Sequence, residues 1–455
     1  VEYVRSSKAR PALPKGPFLV VGLARSGVAA ARALNALGQD VFGVDSGEPE
    51  GLRQLQEAGI GFEGSVTGIE RLEGIATVIK SPGVPWSAEV IAEARRRGIE
   101  VIGELELGWR LFEAPVVAIT GTNGKTTTTE LTAHLLRSAG RSVSVAGNVG
   151  HPVCDVAMEA IGGRESGTVV CECSSFQLED STDFSPEVAV FLNLGPDHLD
   201  RHGNMESYRD AKLRIFGNQR DGDVAVLNGD DPALANVETA AASVLFSAAG
   251  ASGAAVRLEG DWIMVDNEPL VEVSAMRIIG RHNVANAMAG AAAVLALGLD
   301  REAVAQGLRS FLPVAHRYEP VGEIEGVIFI NDSKATNVDA TLAALESSRR
   351  QLHLILGGSR KDEPFDGLVG PVAERCRGIY LIGETAEELG RALAPAKVEI
   401  VRYCEDLEAA VSEAAGAATP GEAVLLSPAC ASFDQFRDYE DRGESFRRLV
   451  EELGG

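Results

Sequence analysis

The stretch VVAITGTNGKTTTTELTAHLL, residues 116–136, constrains the fold more than any other part of the chain. A β-branched apolar run ends in a glycine loop, Lys125 follows, and four threonines open a helical pattern. A strand, a tight glycine turn and a helix in that order aim backbone N–H groups and the positive end of the helix at one point, which suits phosphate oxygens. The strict spacing G-x-x-x-x-G-K-[ST] is not met, because Ile119 stands where its first glycine belongs. The loop is the shorter G-x-x-G-K-T, formed by Gly121, Thr122, Asn123 and Gly124 ahead of Lys125 and Thr126. In this arrangement Lys125 reaches β and γ phosphates, the Thr126 hydroxyl faces a magnesium ion, and Thr127 faces a neighbouring phosphate oxygen. Thr128 and Thr129 read as residues of the helix face.

A chain of 455 residues has room for about three domains of ~150 residues. The other segments are consistent with that. From Phe18 the run FLVVGLARSGVAAARALNALGQDVFGVD reads as strand, glycine turn, helix and strand. Gly22, Ala24 and Gly27 fall on the positions of a G-x-G-x-x-G fingerprint, and Asp45 ends the second strand where a ribose-binding carboxylate would sit. With alanine in the middle, the same pattern also fits glycines that serve helix packing alone. TVIKSPGVP, residues 77–85, reads as a later strand of that sheet closing in a Pro-Gly turn. The central segment holds GTVVCECSSFQLE as a strand, FLNLGPDHLDRHG, and ESYRDAKLRIF with helical spacing. Small strands or loops are expected between residues 240 and 280, and a helix buried on every face in GRHNVANAMAGAAAVLALGL. After an expected hinge at Pro313, strand and helix patterns alternate to the C-terminus, which predicts a parallel sheet covered on both faces.

The formal charge of −24, from 66 acidic and 42 basic residues, argues against nucleic acid and anionic membranes as partners. An anionic substrate must then be met by locally gathered cations. Six cysteines without framework spacing read as reduced thiols of a cytoplasmic protein, and no signal peptide or membrane insertion is expected. Cys171 and Cys173 are expected on one face of a strand.

Several charged residues lie at the ends of apolar runs. Glu172 sits inside VVCEC, where a lone charge is costly to bury and a magnesium ligand is the better explanation. His198, in GPDHLDRHG, fits a ligand or a hydrogen-bonded core histidine equally well. Arg317, Asp332, Lys334, Thr336 and Lys361 recur at strand ends or turns of the last segment, where open parallel sheets bind their ligands.

Taken in order, GTNGKTT, ECSSFQLE, DHLDRHG, YRDAKLRIF, GRHNVANA, HRYE, NDSKATN and SPACASFDQF resemble the Mur ligases of peptidoglycan synthesis. The resemblance covers most of the chain, and SPACASFDQF, GLARSG and SPGVP favour the branch that adds D-glutamate. It implies an α/β protein of three domains: a Rossmann-like UDP-binding domain over residues 1–104, a central P-loop ATPase-like domain over 105–312, and a Rossmann-like C-terminal domain over 313–455. It also implies amide formation through an acyl phosphate, with UDP-N-acetylmuramoyl-L-alanine, D-glutamate and ATP as substrates, magnesium at two sites, and a monomer. Under the resemblance, Thr126, Glu172 and His198 hold metal, and Lys212, otherwise a plain helix lysine, becomes a ligand once carbamylated. Asn283, Asn286, Arg317 and Asp332 take the rest of ATP, while Lys334, Thr336, Lys361, Ser432, Phe433 and Tyr439 take D-glutamate. Arg25, Ser26, Asp45, Ser46, Gly83, Asn148, Gln177 and His198 take the nucleotide sugar. Gly47 stands where relatives can carry a basic side chain, which leaves an expected diphosphate contact either missing or moved to Arg25. A folylpolyglutamate synthase-like ligase and a non-catalytic ATP-binding switch are the competing readings.

Overall fold

The computed structural model describes residues 8–48, 51–148, 150–163, 167–278, 280–312, 315–360 and 364–454. The chain forms two compact units, Val1–Met276 with Asn286–Ser310, and Arg277–Ala285 with Phe311–Gly455. The expected first domain and most of the expected second therefore fall in one unit, while residues 277–285 group with the last.

The first unit holds two sheets. Strands β1 (Phe18–Val21), β2 (Val41–Val44), β3 (Gly61–Glu63), β4 (Thr77–Lys80) and β5 (Glu100–Gly103) pair in parallel in the order β3-β2-β1-β4-β5. All four residues of β1 are buried, as both faces of a covered parallel sheet require. The helix Arg25–Ala36 starts against this strand because residue 27 is glycine; a Cβ there would lie 1.8 Å from the Gly22 carbonyl oxygen. The glycine pattern thus does serve helix packing.

The second sheet contains β6 (Val116–Thr120), β7 (Val143–Gly147), β8 (Thr168–Glu172), β9 (Val188–Phe191), β10 (Val224–Asn228), β11 (Ala242–Ser247), β12 (Val256–Glu259), β13 (Trp262–Val265) and β14 (Glu268–Glu272). Their order is β14-β13-β12-β11-β10-β9-β6-β8-β7, parallel from β7 to β12 and antiparallel through β13 and β14. The small strands expected after residue 240 thus extend the sheet. One expected strand is shorter than its apolar pattern. β8 stops at Glu172 because Ser174 and Gln177 form a capping box that turns the rest of the segment into the helix Ser175–Glu179. Cys171 and Cys173 remain on one side, their Sγ atoms 3.7 Å apart.

Two buried polar contacts tie these sheets together. Lys80, at the end of β4, sits 2.8 Å from Asp180, and neither side chain is more than 1% exposed. Glu104, after β5, accepts the Cys154 N–H at 2.7 Å, and burial pushes its carboxyl up to about 7. The helix Arg281–Ala296 buries Ala287, Met288, Ala289, Ala291, Ala292, Ala293 and Val294, as its composition requires.

The second unit is built on β15 (Glu319–Ile324), β16 (Val327–Asn331), β17 (Leu352–Gly357), β18 (Cys376–Ile382), β19 (Ile400–Tyr403) and β20 (Ala423–Leu426), in the order β15-β16-β20-β17-β18-β19. Only β15 runs antiparallel to its neighbour. β14 and β15, each the edge of its sheet, begin with Glu-Pro and carry a second glutamate, Glu272 and Glu323.

Candidate active site

β6 lies between β8 and β9, so its C-terminal end opens onto the middle of the sheet's ligand-binding edge. The loop that follows is fixed from the side: Asn193 accepts the Asn123 N–H at 2.8 Å and donates to the Asn123 carbonyl at 3.0 Å. Gly124 closes the loop with φ +83°, and a Cβ at that position would lie 2.3 Å from Oδ1 of Asn286. The helix Lys125–Ser138 begins at once, with Thr126, Thr127, Thr128 and Thr129 buried.

Two ammonium groups converge on this loop. Lys125 Nζ donates to the carbonyls of Gly121 at 2.8 Å and Thr122 at 2.7 Å, and Lys212 Nζ donates to Gly121 at 2.9 Å. Lys212, on the helix Met205–Leu213, is 1% exposed, with its ammonium 4.7 Å from the Tyr208 ring centre. Burial, then the neighbouring Lys125 charge, pushes its pKa well below the usual lysine range.

Glu172 ends β8 beneath the loop. Its Oε2 accepts the Thr126 hydroxyl at 2.8 Å and its Oε1 accepts the Asn148 amide at 2.9 Å. A hydroxyl and a carboxylate within hydrogen-bonding distance at the start of the phosphate-facing helix form a hard oxygen set, which fits magnesium held by few protein ligands and by phosphate. Among the described residues no three His, Cys, Asp or Glu side chains cluster as a complete metal cage. His198 precedes the short helix Leu199–His202 at φ +53°, its ring 4.8 Å from Phe176 and 6.4 Å from Tyr208, the same tyrosine that underlies Lys212.

A second cleft, of about 230 Å³, opens at the C-terminal ends of β1 and β4, where the strand order of the first sheet reverses. Arg25, Ser26, Gly83, Asn148 and Gln177 line it together. Asn148 thereby touches both places, since its amide also holds Glu172. Asp45 and Ser46 do not line this cleft. The Asp45 carboxylate instead accepts the N–H groups of Leu23 at 2.6 Å and Gly47 at 2.8 Å and braces the glycine loop. Arg25 donates to the Gly150 carbonyl at 2.7 Å.

In the second unit Asp332 follows β16 and accepts the Tyr318 N–H at 3.0 Å and the Ser427 hydroxyl at 2.8 Å. Burial raises its carboxyl to about 7. Arg317 precedes Tyr318, and Asn283 is buried in the first turns of the helix Arg281–Ala296. The Lys334 ammonium lies 5.0 Å from the Tyr439 ring centre, and the Thr336 N–H donates to the Lys334 carbonyl. Ser432 is buried and Phe433 is 74% exposed. Lys361 and Pro313 lie outside the described residues.

Arg442 was not expected. It is 1% exposed and binds the Ser333 hydroxyl at 3.0 Å and the carbonyls of Ser333, Cys430 and Ala431 at 2.8, 3.1 and 3.2 Å, holding NDSKATN against SPACASFDQF. The signal was in the spacing: residues 442, 446 and 450 share one helix face, and the other two are the buried Phe446 and Val450.

Comparison with known proteins matches three family models along the chain. The family model described as Mur ligase MurD-like, N-terminal domain, matches residues 17–103; the Mur ligase middle domain matches 119–294; and the Mur ligase glutamate ligase domain matches 316–430. The chain belongs to the Mur ligase family. Among curated Mur ligases, the UDP-N-acetylmuramoylalanine--D-glutamate ligase of Thermoanaerobacter pseudethanolicus is 39% identical over 448 residues, 96% of this chain and 98% of that one. Its counterpart in Acidobacterium capsulatum is 42% identical over 445 residues, 95% of each chain. Solved structures share the fold. The MurC ligase of Thermotoga maritima superposes with TM-score 0.59 at 22% identity, covering 96% of this chain and 98% of that one. The MurF ligase of the same organism, solved with ADP, gives 0.61 at 18%, covering 91% and 95%.

Proposed function

We propose that this Mur ligase joins D-glutamate to UDP-N-acetylmuramoyl-L-alanine with cleavage of ATP, in the synthesis of peptidoglycan precursors. The observation that carries the reading is identity of 39–42% over at least 95% of the chain to ligases named for that reaction. The geometry supplies the parts such a reaction needs. The substrate carboxylate attacks the γ-phosphate, and an acyl phosphate and ADP result. Negative charge on the phosphoryl oxygens is met by the N-terminal end of the helix Lys125–Ser138 and by Lys125. Thr126 and Glu172 would hold magnesium, which when bound neutralises charge on the phosphate oxygens. Thr127 faces a neighbouring phosphate oxygen.

His198 and Lys212 are assigned to a second magnesium. The displaced pKa of Lys212 supports its carbamylation, because only the uncharged amine adds to carbon dioxide. The ammonium first gives up a proton, the neutral amine forms a C–N bond to carbon dioxide, and loss of a second proton leaves an anionic oxygen ligand. The D-glutamate amine then attacks the acyl carbon, and phosphate departs from a tetrahedral intermediate.

The nucleotide sugar is assigned to Arg25, Ser26, Gly83, Asn148 and Gln177, the residues that share the cleft of about 230 Å³, together with Asp45, Ser46 and His198. Asn283, Asn286, Arg317 and Asp332 are assigned to ATP, and Lys334, Thr336, Ser432, Phe433, Tyr439 and Lys361 to D-glutamate. The roles divide over residues 1–104, 105–312 and 313–455. We place the enzyme in the cytoplasm as a monomer. Six free, buried cysteines support a reducing compartment, and among the described residues no helix is long and apolar enough to cross a membrane.

The test is ADP release with UDP-N-acetylmuramoyl-L-alanine and magnesium ATP, offering D-glutamate, L-alanine, L-lysine, diaminopimelate or no amino acid. Release that requires D-glutamate is expected. Activity only with a folate and L-glutamate would replace this reading, and binding of ATP with no turnover on any acceptor would leave a switch protein.

A further inference from the structure

We propose that Arg201 is a positioning residue that couples occupancy of the nucleotide-sugar cleft to the placement of His198; the inference rests on the substrate reading above. Arg201 lies one turn after His198 on the helix Leu199–His202, and its guanidinium leaves that helix for the first sheet. Nη1 donates to the Gly83 carbonyl at 3.3 Å and Nη2 to the Val84 carbonyl at 3.2 Å. Gly83 lines the cleft, and the Val84 carbonyl also takes Lys80 Nζ at 2.6 Å, so this loop is gripped by two cations.

The other face of the guanidinium meets the metal side. Its Cζ lies 4.5 Å from the centre of the Phe176 ring, and that ring packs against His198 at 4.8 Å and His202 at 5.6 Å. His202 in turn pairs with the Ser175 hydroxyl at 3.0 Å, and Arg201 reaches Glu179 at 3.5 Å. All three partners belong to the helix Ser175–Glu179, whose Gln177 lines the cleft and which begins three residues after Glu172. A nucleotide sugar that draws in the loop at Gly83 therefore pulls on a stack that ends at the His198 ring. A planar fork can hold both carbonyls along its edge while its face stacks flat on the ring, whereas an ammonium has no flat face to stack.

Linkage makes the coupling measurable from either side. The experiment is calorimetric titration of UDP-N-acetylmuramoyl-L-alanine into the whole protein, with and without magnesium and a non-hydrolysable ATP analogue. In the unaltered protein the metal and analogue should tighten binding by about fivefold or more. Arg201→Lys and Phe176→Leu should each reduce that factor below about twofold, with affinity in the absence of metal changed far less. Should Arg201→Lys melt early, Phe176→Leu decides alone, since it leaves both carbonyl contacts in place. Tightening that survives in the variants, or is absent from the unaltered protein, overturns the coupling. No binding by the unaltered protein under any condition would instead remove the substrate reading, and the coupling with it.

Discussion

Lys125 and Lys212 share the Gly121 carbonyl, yet their removal should have different effects. Lys125→Ala should lower D-glutamate-dependent ADP release by about 10²–10³ or more, the loss typical of a preorganised charge at a transition state. Binding of the nucleotide sugar, measured by calorimetry, should stay within about twofold, since Lys125 does not line that cleft. Lys212→Ala should be inactive and partly restored by formate or acetate, which can stand in for the carbamate; full activity without additive would exclude Lys212 from the site. A third test concerns Glu104, whose buried carboxyl is raised from 4.5 to about 7. Between those values the folded chain keeps a proton that the unfolded chain has released, so stability falls as pH rises through the window and levels off above it. Asp180 and Asp332, also raised to about 7, slope the same way. Glu104→Gln keeps the acceptor for Cys154 and should flatten melting temperature against pH between about 5 and 7; an unchanged slope would count against it. Lys125 and Thr126 were legible from the glycine loop and the helix start, and Glu172 as a charge inside an apolar strand. Without the family resemblance, Lys212 was not, because helical spacing says nothing about which lysine another element covers.

At the level of elements, the strand–glycine–helix units were legible because each is local: the apolar run, the turn and the helical pattern follow one another in sequence. What was missed was an ending. GTVVCECSSFQLE reads as one strand by its apolar content, and the capping box of Ser174 and Gln177 breaks it into strand and helix. That break puts Phe176, Gln177 and Glu179 on a helix after Glu172 instead of carrying them along the sheet. The glycine loop offers the matching test. Gly124 combines a positive φ with the close approach of Asn286, so Gly124→Ala should destabilise the protein by about 1–3 kcal/mol for the backbone alone. Chemical denaturation measures it, and a midpoint equal to that of the unaltered protein would show that the loop can relax.

On the scale of the molecule, three segments were readable from the sequence, but the joining of the first two into one compact unit was not. The contacts that join them pair residues far apart in the chain, Lys80 with Asp180 and Glu104 with Cys154. Burial works against both charges of the first pair, lowering Lys80 and raising Asp180. Leaving one partner alone is worse: Asp180→Asn should cost about 3 kcal/mol or more, and the apolar pair Lys80→Met with Asp180→Leu should recover much of it. Denaturation midpoints of the three chains decide this; a double variant no better than the single would refute it. The two Glu-Pro edge strands act on a larger scale still. An open edge invites a strand from another molecule, and proline at residues 269 and 320 removes a donor there while Glu272 and Glu323 add like charge. In a crowded solution, where unfolded chains and copies of the same chain collide constantly, these edges give a growing fibril no template, and they keep a net-acidic protein dispersed.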